Sequence, residues 1–518
     1  MTSAIQPESN VPTLSKKRRW AALVVLSFSL FVVSIDMTVL NVALPDLTAD
    51  LQPTSDQQLW IIDIYSLVLA GLLVSASSLS DRWGRKRMLL AGYLVFGGGS
   101  MLIVLANSTD AVIAIRALLG IGGAMIMPTT LSMVRSIFQN PRERATALAV
   151  WSAISGLGMA IGPIIGGFLL EHFSWHAAFL VNAPLMVATF FAGLFILPEV
   201  RVKNPGRWDA VAAAVSMVGM VLLMWGIKHL AAEMSLTDPL GLGALFAGIA
   251  LMAFFVIRCA RSAEPLLDVR LFKSKPFTAG IVAALGSMFA MAALLFLLTQ
   301  WLQLVEGYGP LESGLRLVPM AVASLVSASL APLLATRLGT RRVMVAGLLI
   351  SAAGMLMLVL FREHLTYAPV ALASSLVGVG TGVLAIGSAL IMLETPVEKA
   401  ASAAAFEEVA YDLGNVAGVA ILGSVASIVY RLGLDPLVLA SSGLDQASVE
   451  AAGQSFAAAA AIAKQTGVEE LMREGTASFN ESIVLTSFIG GVIMLAVAFA
   501  VARLVPKDMD ITRSDQQH

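Results

Sequence analysis

Residues 79–95 read LSDRWGRKRMLLAGYLV, and residues 334–350 read LATRLGTRRVMVAGLLI. The two stretches align without a gap, and each lies between two long apolar segments. The identical residues of the first copy are Leu79, Arg82, Gly84, Arg87, Ala91, Gly92 and Leu94. Basic loops resemble one another whenever they face the same side of a membrane. The shared glycine and Ala–Gly pair go beyond that resemblance, so the chain is predicted to contain an internal repeat.

The composition places the chain in a lipid bilayer. It has 518 residues, of which 58% are hydrophobic and 13% charged, with a net charge of -1 and a mean hydropathy of +0.84. Soluble domains carry roughly 25% charged residues. A soluble enzyme, a disordered chain and a nucleic-acid-binding protein with a basic face are therefore excluded. The single cysteine, Cys259, excludes an intrachain disulfide and a cysteine-based metal site.

Fourteen segments are apolar over the roughly 20 residues that a membrane-spanning helix requires. Most of the 33 Lys and Arg residues fall in the N-terminal tail and in the loops on the same side as that tail. The positive-inside rule then predicts that both termini are cytoplasmic. The predicted spans are 20–44, 57–79, 88–108, 110–135, 144–170, 176–198, 209–229, 238–259, 275–303, 313–336, 341–361, 367–393, 399–431 and 481–504.

The repeat divides these spans into two halves. Its first copy follows the second span and its second copy follows the tenth, so spans one to six and nine to fourteen are predicted to be equivalent. Spans seven and eight are then an inserted, peripheral pair. Two six-span halves form a transporter architecture with the substrate site between them. The predicted division is a cytoplasmic tail at 1–19, a six-helix bundle at 20–200, the inserted pair with its linkers at 201–262, a second six-helix bundle at 263–504 with an outer loop at 432–480, and a cytoplasmic tail at 505–518.

Five acidic residues fall inside predicted spans: Asp36, Asp63, Glu407, Glu408 and Asp412. Each costs a few kcal/mol to place in a bilayer, so such residues usually mark ion or proton pathways. Asp36 and Asp63 lie at similar predicted depths. The alternative is that each acid is the structural partner of a buried base, but among the bases only Arg116 lies deep in a span. We therefore expect a cavity in which a proton and a cation compete for carboxylates.

Aromatic and glycine residues complete the candidate site. Tyr65, Phe406 and Tyr411 lie close in sequence to the acids and can contact a cationic substrate through their ring faces. Four glycines and a proline in the fifth span have the spacing that lets two helices approach closely. This group is predicted to form a tight packing hinge. It consists of Gly158, Gly162, Pro163, Gly166 and Gly167.

Several motifs resemble those of the major facilitator superfamily. SLSDRWGRKRMLL at 78–90 resembles its loop signature, with Ser77 in place of the usual first glycine. GLGMAIGPIIGG at 156–167 resembles the antiporter signature of drug exporters, and IDMTVLNVALP at 35–45 resembles the first-span signature of the fourteen-span drug:proton antiporters. IRALLGIGGA at 115–124 resembles the fourth-span signature. Within that branch the chain looks most like exporters of quaternary ammonium compounds and methyl viologen.

The resemblance implies an all-α membrane protein of the major facilitator fold. It also implies that Arg116 helps to set the protonation of Asp36. The loop residues Asp81, Arg82, Gly84 and Arg85 are expected to form charge contacts that hold one facing state.

The resulting prediction is a proton-coupled efflux antiporter in the bacterial cytoplasmic membrane. Its partners would be small organic cations, protons and the lipid bilayer, with no cofactor, no metal and no nucleic acid, and we expect a monomer. Two alternatives stay open. The first is an exporter of an endogenous metabolite or another non-cationic drug, and the second is a membrane-embedded enzyme or sensor. No catalytic dyad, nucleotide-binding loop or metal cluster in the sequence favours the second.

Overall fold

The structure is a computed structural model. It describes residues 14–53, 55–201, 209–232, 238–262, 265–362, 365–396, 399–434, 448–449, 452–453, 456–507 and 509. Every regular element in these ranges is helical, and fourteen helical segments are long and apolar enough to cross a membrane. The predicted all-α fold with fourteen spans is therefore confirmed.

The first half contains six spans, and its sixth span is divided by a break at Val181. The inserted pair follows it. The helices are α1 (Lys16–Leu51), α2 (Ser55–Trp83), α3 (Arg85–Leu102), α4 (Thr109–Ile137), α5 (Pro141–His172), α6 (His176–Leu180) and α7 (Asn182–Ile196), then α8 (Ala210–Ala232) and α9 (Pro239–Arg261) of the inserted pair.

The second half is less regular, because two of its spans contain π-helical segments. Such segments are often found at functional sites. The π-helical segments are Trp301–Val305 and Gly418–Leu422. The α-helices are α10 (Lys275–Gln300), α11 (Pro310–Arg316), α12 (Val318–Leu338), α13 (Thr340–Leu360), α14 (Tyr367–Thr381), α15 (Val383–Leu393), α16 (Ala400–Ala417), α17 (Gly423–Gly433), α18 (Phe456–Thr466) and α19 (Glu469–Leu504).

Short polar residues determine where several helices begin. The Ser108 hydroxyl accepts a hydrogen bond from the backbone N–H of Ala111 at the start of α4. The Asp238 carboxylate accepts one from the N–H of Gly241 at the start of α9, where Pro239 occupies the first turn. These contacts satisfy N–H groups that a helix leaves unpaired in its first turn. The starts of these helices are thus explained by local sequence.

The internal repeat is visible in the backbone. Gly84 has a φ of +110° immediately before α3, and its counterpart Gly339 has a φ of +91° immediately before α13. A residue with a Cβ atom rarely adopts this conformation. Further along, Gly92 packs closely against α4, and its counterpart Gly347 packs against α14 and α15. The two copies therefore make the same turn and the same helix contact.

The two halves meet along two sets of helices. α5 of the first half packs against α11, α12 and α15 of the second. α2 and α4 pack against α16. On one side of this interface, the Arg135 guanidinium donates a hydrogen bond to the backbone oxygen of Thr395 at 3.0 Å. The acids of α16 thus lie where the halves face each other.

The inserted pair is peripheral only in part. α9 packs mainly on α8, and in the most apolar 18-residue window of its span only 17% of the residues are buried. α8, by contrast, packs against α2 and also against α16. The prediction of a peripheral pair is therefore wrong for α8, which contacts both halves. Its near-uniformly apolar sequence gives no sign of which face is packed against protein.

The outer loop carries helical structure that extends the last span. α19 starts at Glu469, twelve residues before the predicted span 481–504, and it contains that whole span. α18 packs on α19, and the ring of Phe456 stacks on that of Phe479 with their centroids 4.9 Å apart. Residues 435–447, in the first part of this loop, lie outside the described residues.

Candidate substrate and proton site

Asp36 forms the centre of a buried ion pair in the first half. Its side chain, on α1, is fully buried. Arg116 Nη1 of α4 lies 3.2 Å from Asp36 Oδ2, and Asn182 Nδ2 of α7 donates to Asp36 Oδ1 at 2.8 Å. Arg116 Nε also donates to the backbone oxygen of Ile61 in α2 at 3.2 Å. One guanidinium therefore joins α1, α2 and α4 at a single depth.

Tyr65 lies between this ion pair and the second half. The Arg116 guanidinium sits 4.7 Å from the centroid of the Tyr65 ring, so one ring face already contacts a cation. The Tyr65 hydroxyl is buried and has no hydrogen-bond partner among the described residues. α2, which carries Tyr65, packs against α16, the helix of Glu408 and Asp412. Tyr65 thus contacts the ion pair of the first half from a helix that also meets the acid-bearing helix of the second.

Glu407 on α16 is held by neighbouring hydroxyl groups. The side chain is fully buried. The hydroxyls of Ser388 and Tyr411 both donate to Glu407 Oε1, the latter at 2.5 Å. These two hydroxyls also lie 3.2 Å apart. Glu407 and Tyr411, four residues apart on α16, therefore form a compact network with Ser388 inside the second half.

Glu408 and Asp412 have fewer hydrogen bonds among the described residues than Glu407 has. Both are buried, with exposed fractions of 1% and 7%. Within the described part of the chain, neither oxygen of Glu408 has a hydrogen-bond partner. Oδ2 of Asp412 has none there either. No basic side chain of that part forms an ion pair with either residue. Leaving buried polar atoms unpaired costs about 1–3 kcal/mol each, so a purely structural role does not explain these acids.

Of the two remaining predicted site residues, the structure describes the side chain of Phe406 only, and it lies outside this group. The side chain of Asp63 lies outside the described residues, although its backbone belongs to α2. Phe406 packs edge-on against Phe272 and Phe277, with centroids 4.9 and 6.3 Å away. These contacts place Phe406 in an aromatic cluster near the start of α10, on a different face of α16.

The predicted gating loop is bound to its own half. Arg85 is buried and donates to Asp81 Oδ1 at 2.9 and 3.2 Å. It also donates to the backbone oxygen of Ser132 at 3.1 Å and to the Ser136 hydroxyl, both on α4. Arg82 is half-buried next to this cluster. Arg85 therefore fastens the end of α2 to α4.

The glycines of the fifth span face α1. A Cβ atom on Gly158 would lie 2.9 Å from the backbone oxygen of Phe31, and one on Gly162 would lie 3.1 Å from that of Ile35. A Cβ atom on Gly166 would lie 2.8 Å from Val39 Cγ2 of α1, and Gly167 is buried. Pro163 lies within α5, beside α11 of the other half. The stripe thus brings α5 against the helix that carries Asp36.

Gly158→Ala is expected to impair both stability and transport. The added Cβ would meet Ser34 Cβ at 2.8 Å and the Phe31 backbone oxygen at 2.9 Å, so α1 and α5 must separate. Overpacking of this kind costs about 1–3 kcal/mol. The matched control is Gly156→Ala in the same helix, where the nearest atom would be 3.7 Å away. Thermal unfolding of the purified protein in detergent, run for both variants, tests the difference, and equal melting temperatures would contradict it.

Sequence reasoning missed two partners of the acids. Asn182 is a polar amide inside the sixth span, and polar residues in a span are expected to hydrogen-bond between helices. The position of a polar amide inside an apolar span could therefore have identified Asn182 from the sequence. Ser388 sits in a span where hydroxyl residues are common, so nothing in the sequence distinguishes it. Among the described residues, no group of His, Cys, Asp and Glu side chains could hold a metal ion.

Two six-span halves, with buried acids where they meet, form the architecture of a secondary transporter. The family profile described as Major Facilitator Superfamily matches residues 26–419. The chain belongs to this superfamily of membrane transporters and is not an enzyme.

Curated relatives are similar over nearly the whole chain. The Multidrug efflux pump LfrA of Mycolicibacterium smegmatis is 39% identical over 94% of this chain and 97% of its own length. The Methyl viologen resistance protein SmvA of Salmonella typhimurium is 33% identical over 93% of this chain and 97% of its own length.

Solved structures share the fold at low identity. A bacterial homologue of the human lysosomal transporter Spinster has a TM-score of 0.57 at 16% identity, covering 95% of this chain and 98% of its own. The proton:xylose symporter XylE has a TM-score of 0.61 at 12% identity, covering 96% of this chain and 98% of its own.

Proposed function

We propose that this protein is a proton-coupled multidrug exporter of lipophilic organic cations in the bacterial cytoplasmic membrane. The observation that carries the proposal is Glu408, a buried carboxyl group at the interface of the halves whose two oxygens have no partner among the described residues. Burial without a counterion favours the neutral form of a carboxyl group. Either a proton or a cationic substrate can supply the missing positive charge.

Exchange of a cation for protons follows because both compete for the same buried carboxyl groups. A substrate cation entering from the cytoplasm displaces protons from the acids of α16, and protons arriving from outside displace the cation after the halves have changed their facing state. Expelling a dication against the membrane potential costs about 4.6 kcal/mol per 100 mV, and exchange for two protons cancels this cost. The presence of Glu407, Glu408 and Asp412 on one helix suits such a stoichiometry.

The relatives support this choice of substrate. One similar protein is named a multidrug efflux pump, and another is named for resistance to methyl viologen, a dication. The site of this chain is rich in acids, whereas an exporter of anions needs bases at its centre, and Arg116 is already paired with Asp36. The proton gradient drives the cycle without a cofactor, the protein acts as a monomer, and both termini face the cytoplasm.

The test uses inside-out membrane vesicles with an acidic interior and no ATP. Ethidium serves as the monocation and methyl viologen as the dication. Wild-type vesicles are expected to accumulate both, and a protonophore is expected to abolish the accumulation. If the protein is present in the membrane but neither cation is taken up, the proposal is wrong. Gradient-driven uptake of a neutral or anionic compound alone would favour the non-cationic alternative.

A further inference from the structure

The turn before α3 holds a carboxylate of the protein itself. Glu199, which follows α7, accepts a hydrogen bond from the backbone N–H of Lys86 at 3.3 Å, and its other oxygen lies 3.8 Å from Arg87 Nε. A Cβ atom on Gly84 would collide with the same carboxylate. Negative charge is favourable here, because the first turn of a helix leaves N–H groups unpaired. In the first copy of the repeat, the protein therefore supplies the anion.

The second copy of the repeat makes the same turn without these acids. Thr336 stands where the first copy has Asp81. α13 packs against α19 as α3 packs against α7, and α7 and α19 are each followed by an apolar residue and a proline. The next residue is Glu199 in the first half and Lys507 in the second. A Cβ atom on Gly339 would have no atom of the described residues within 4 Å.

Three arginines flank this second turn. Arg337 lies in the last turn of α12, and Arg341 and Arg342 lie in the first turn of α13. Within the part of the chain that the structure describes, none of the three forms an ion pair or a side-chain hydrogen bond. The counterparts of the last two are Lys86 and Arg87, which both contact protein oxygens. The first turn of a helix disfavours positive charge, so these arginines call for an anion from outside the described residues.

A lipid-facing stripe of α12 leads to the arginines. Val322, Val326, Leu330 and Leu334 are each about half exposed, and their spacing is that of one helix face. Arg337 lies three residues beyond Leu334 and continues that face. In the most apolar window of this span only 28% of the residues are buried. An acyl chain can therefore lie along α12 while its charged headgroup meets the arginines.

We propose that the turn between α12 and α13 binds the headgroup of an anionic phospholipid, with Arg337, Arg341 and Arg342 around its phosphodiester group. The lipid belongs to the leaflet on the side of the two termini, which the proposed topology makes the cytoplasmic one. Arginine suits a phosphate because its guanidinium donates to two oxygens at once. Anionic lipids also attract basic residues at that membrane surface. In the second half, a lipid does for the turn what Glu199 does in the first.

The test measures binding of two phospholipids to the purified protein in neutral detergent by native mass spectrometry. Phosphatidylglycerol has a net negative charge, whereas phosphatidylcholine carries the same phosphate with a compensating cation. We expect the wild type to bind phosphatidylglycerol more tightly. Arg337→Gln is expected to weaken that binding about fivefold, and the triple variant with Arg341→Gln and Arg342→Gln about 100-fold, since each base contributes a similar factor near an anionic headgroup. Binding of phosphatidylcholine is expected to stay unchanged.

The matched control removes three other exposed bases on the same side of the membrane. Arg261, Lys273 and Lys275 lie between the end of α9 and the start of α10. Their joint replacement by glutamine changes the net charge equally and is expected to preserve the affinity for phosphatidylglycerol. This lipid should also raise the melting temperature of the wild type and of the control, but not that of the triple arginine variant. If that variant is not recovered, Arg337→Gln provides the comparison.

Three results would overturn the inference: equal binding of both lipids by the wild type, unchanged phosphatidylglycerol binding by the arginine variants, and an equal loss in the control. A chain that ends at Lys507 tests the other occupant, because it lacks Asp508, Asp510 and Asp515 of the C-terminal tail. Unchanged affinity supports the lipid, and tighter lipid binding would show that the tail covers the arginines instead. The assay requires no transport, so its failure leaves the proposed function standing.

Discussion

Glu408→Gln is expected to reduce proton-driven cation uptake, measured as kcat/KM in inside-out vesicles, by about 100-fold or more. The amide has nearly the same size as the acid, but it can neither release a proton nor carry a negative charge. Because neither oxygen of Glu408 has a hydrogen-bond partner among the described residues, the substitution breaks no hydrogen bond within that part of the chain. The amount of folded protein is therefore expected to stay near the wild-type level.

Glu407→Gln is the matched comparison on the same helix. The Ser388 and Tyr411 hydroxyls donate to one oxygen of Glu407, and a glutamine oxygen can accept the same two hydrogen bonds. We expect a loss of uptake within about tenfold for this variant. Uptake by Glu408→Gln that equals the wild type, or that exceeds uptake by Glu407→Gln, would show that Glu408 is not the exchanging group.

Asp36→Asn is expected to lower the free energy of unfolding by about 3–5 kcal/mol and to abolish uptake. The substitution leaves the Arg116 guanidinium buried, with an exposed fraction of 2%, and removes the Asp36 carboxylate that lies 3.2 Å from it. A buried charge that loses its partner is strongly destabilising. Thermal unfolding in detergent and the amount of protein in the membrane measure the effect.

Two further variants separate stability from transport. In Asp36→Asn combined with Arg116→Met both charges are gone, so stability is expected to recover while uptake does not. Glu312→Gln breaks the exposed pair with Arg316 on α11 and is expected to cost at most about 1 kcal/mol. A stable Asp36→Asn protein would mean that Arg116 does not depend on Asp36 for its counter-charge.

The acids themselves could be found from the sequence, but their partners could not. The high cost of a charge in a bilayer marks Asp36 and the α16 acids wherever they point. Glu407 and Glu408 are adjacent, and their side chains point about 100° apart on the helix. Only the packing of α16 against its neighbours places Ser388 beside Glu407 and leaves both oxygens of Glu408 without a hydrogen-bond partner among the described residues.

The sequence by itself determined the fold class, the fourteen spans and the repeat. Span length, loop charge and the Gly84 motif are local properties, and the bilayer allows few ways to arrange apolar helices of this length. Tertiary structure alone decided that Arg116 pairs with Asp36 and that α8 packs against both α2 and α16. The reason is that an almost wholly apolar helix carries no mark of which face meets protein and which meets lipid. That choice is made by the shapes of the neighbouring helices, through close contacts such as the one between Gly71 of α2 and Val221 of α8.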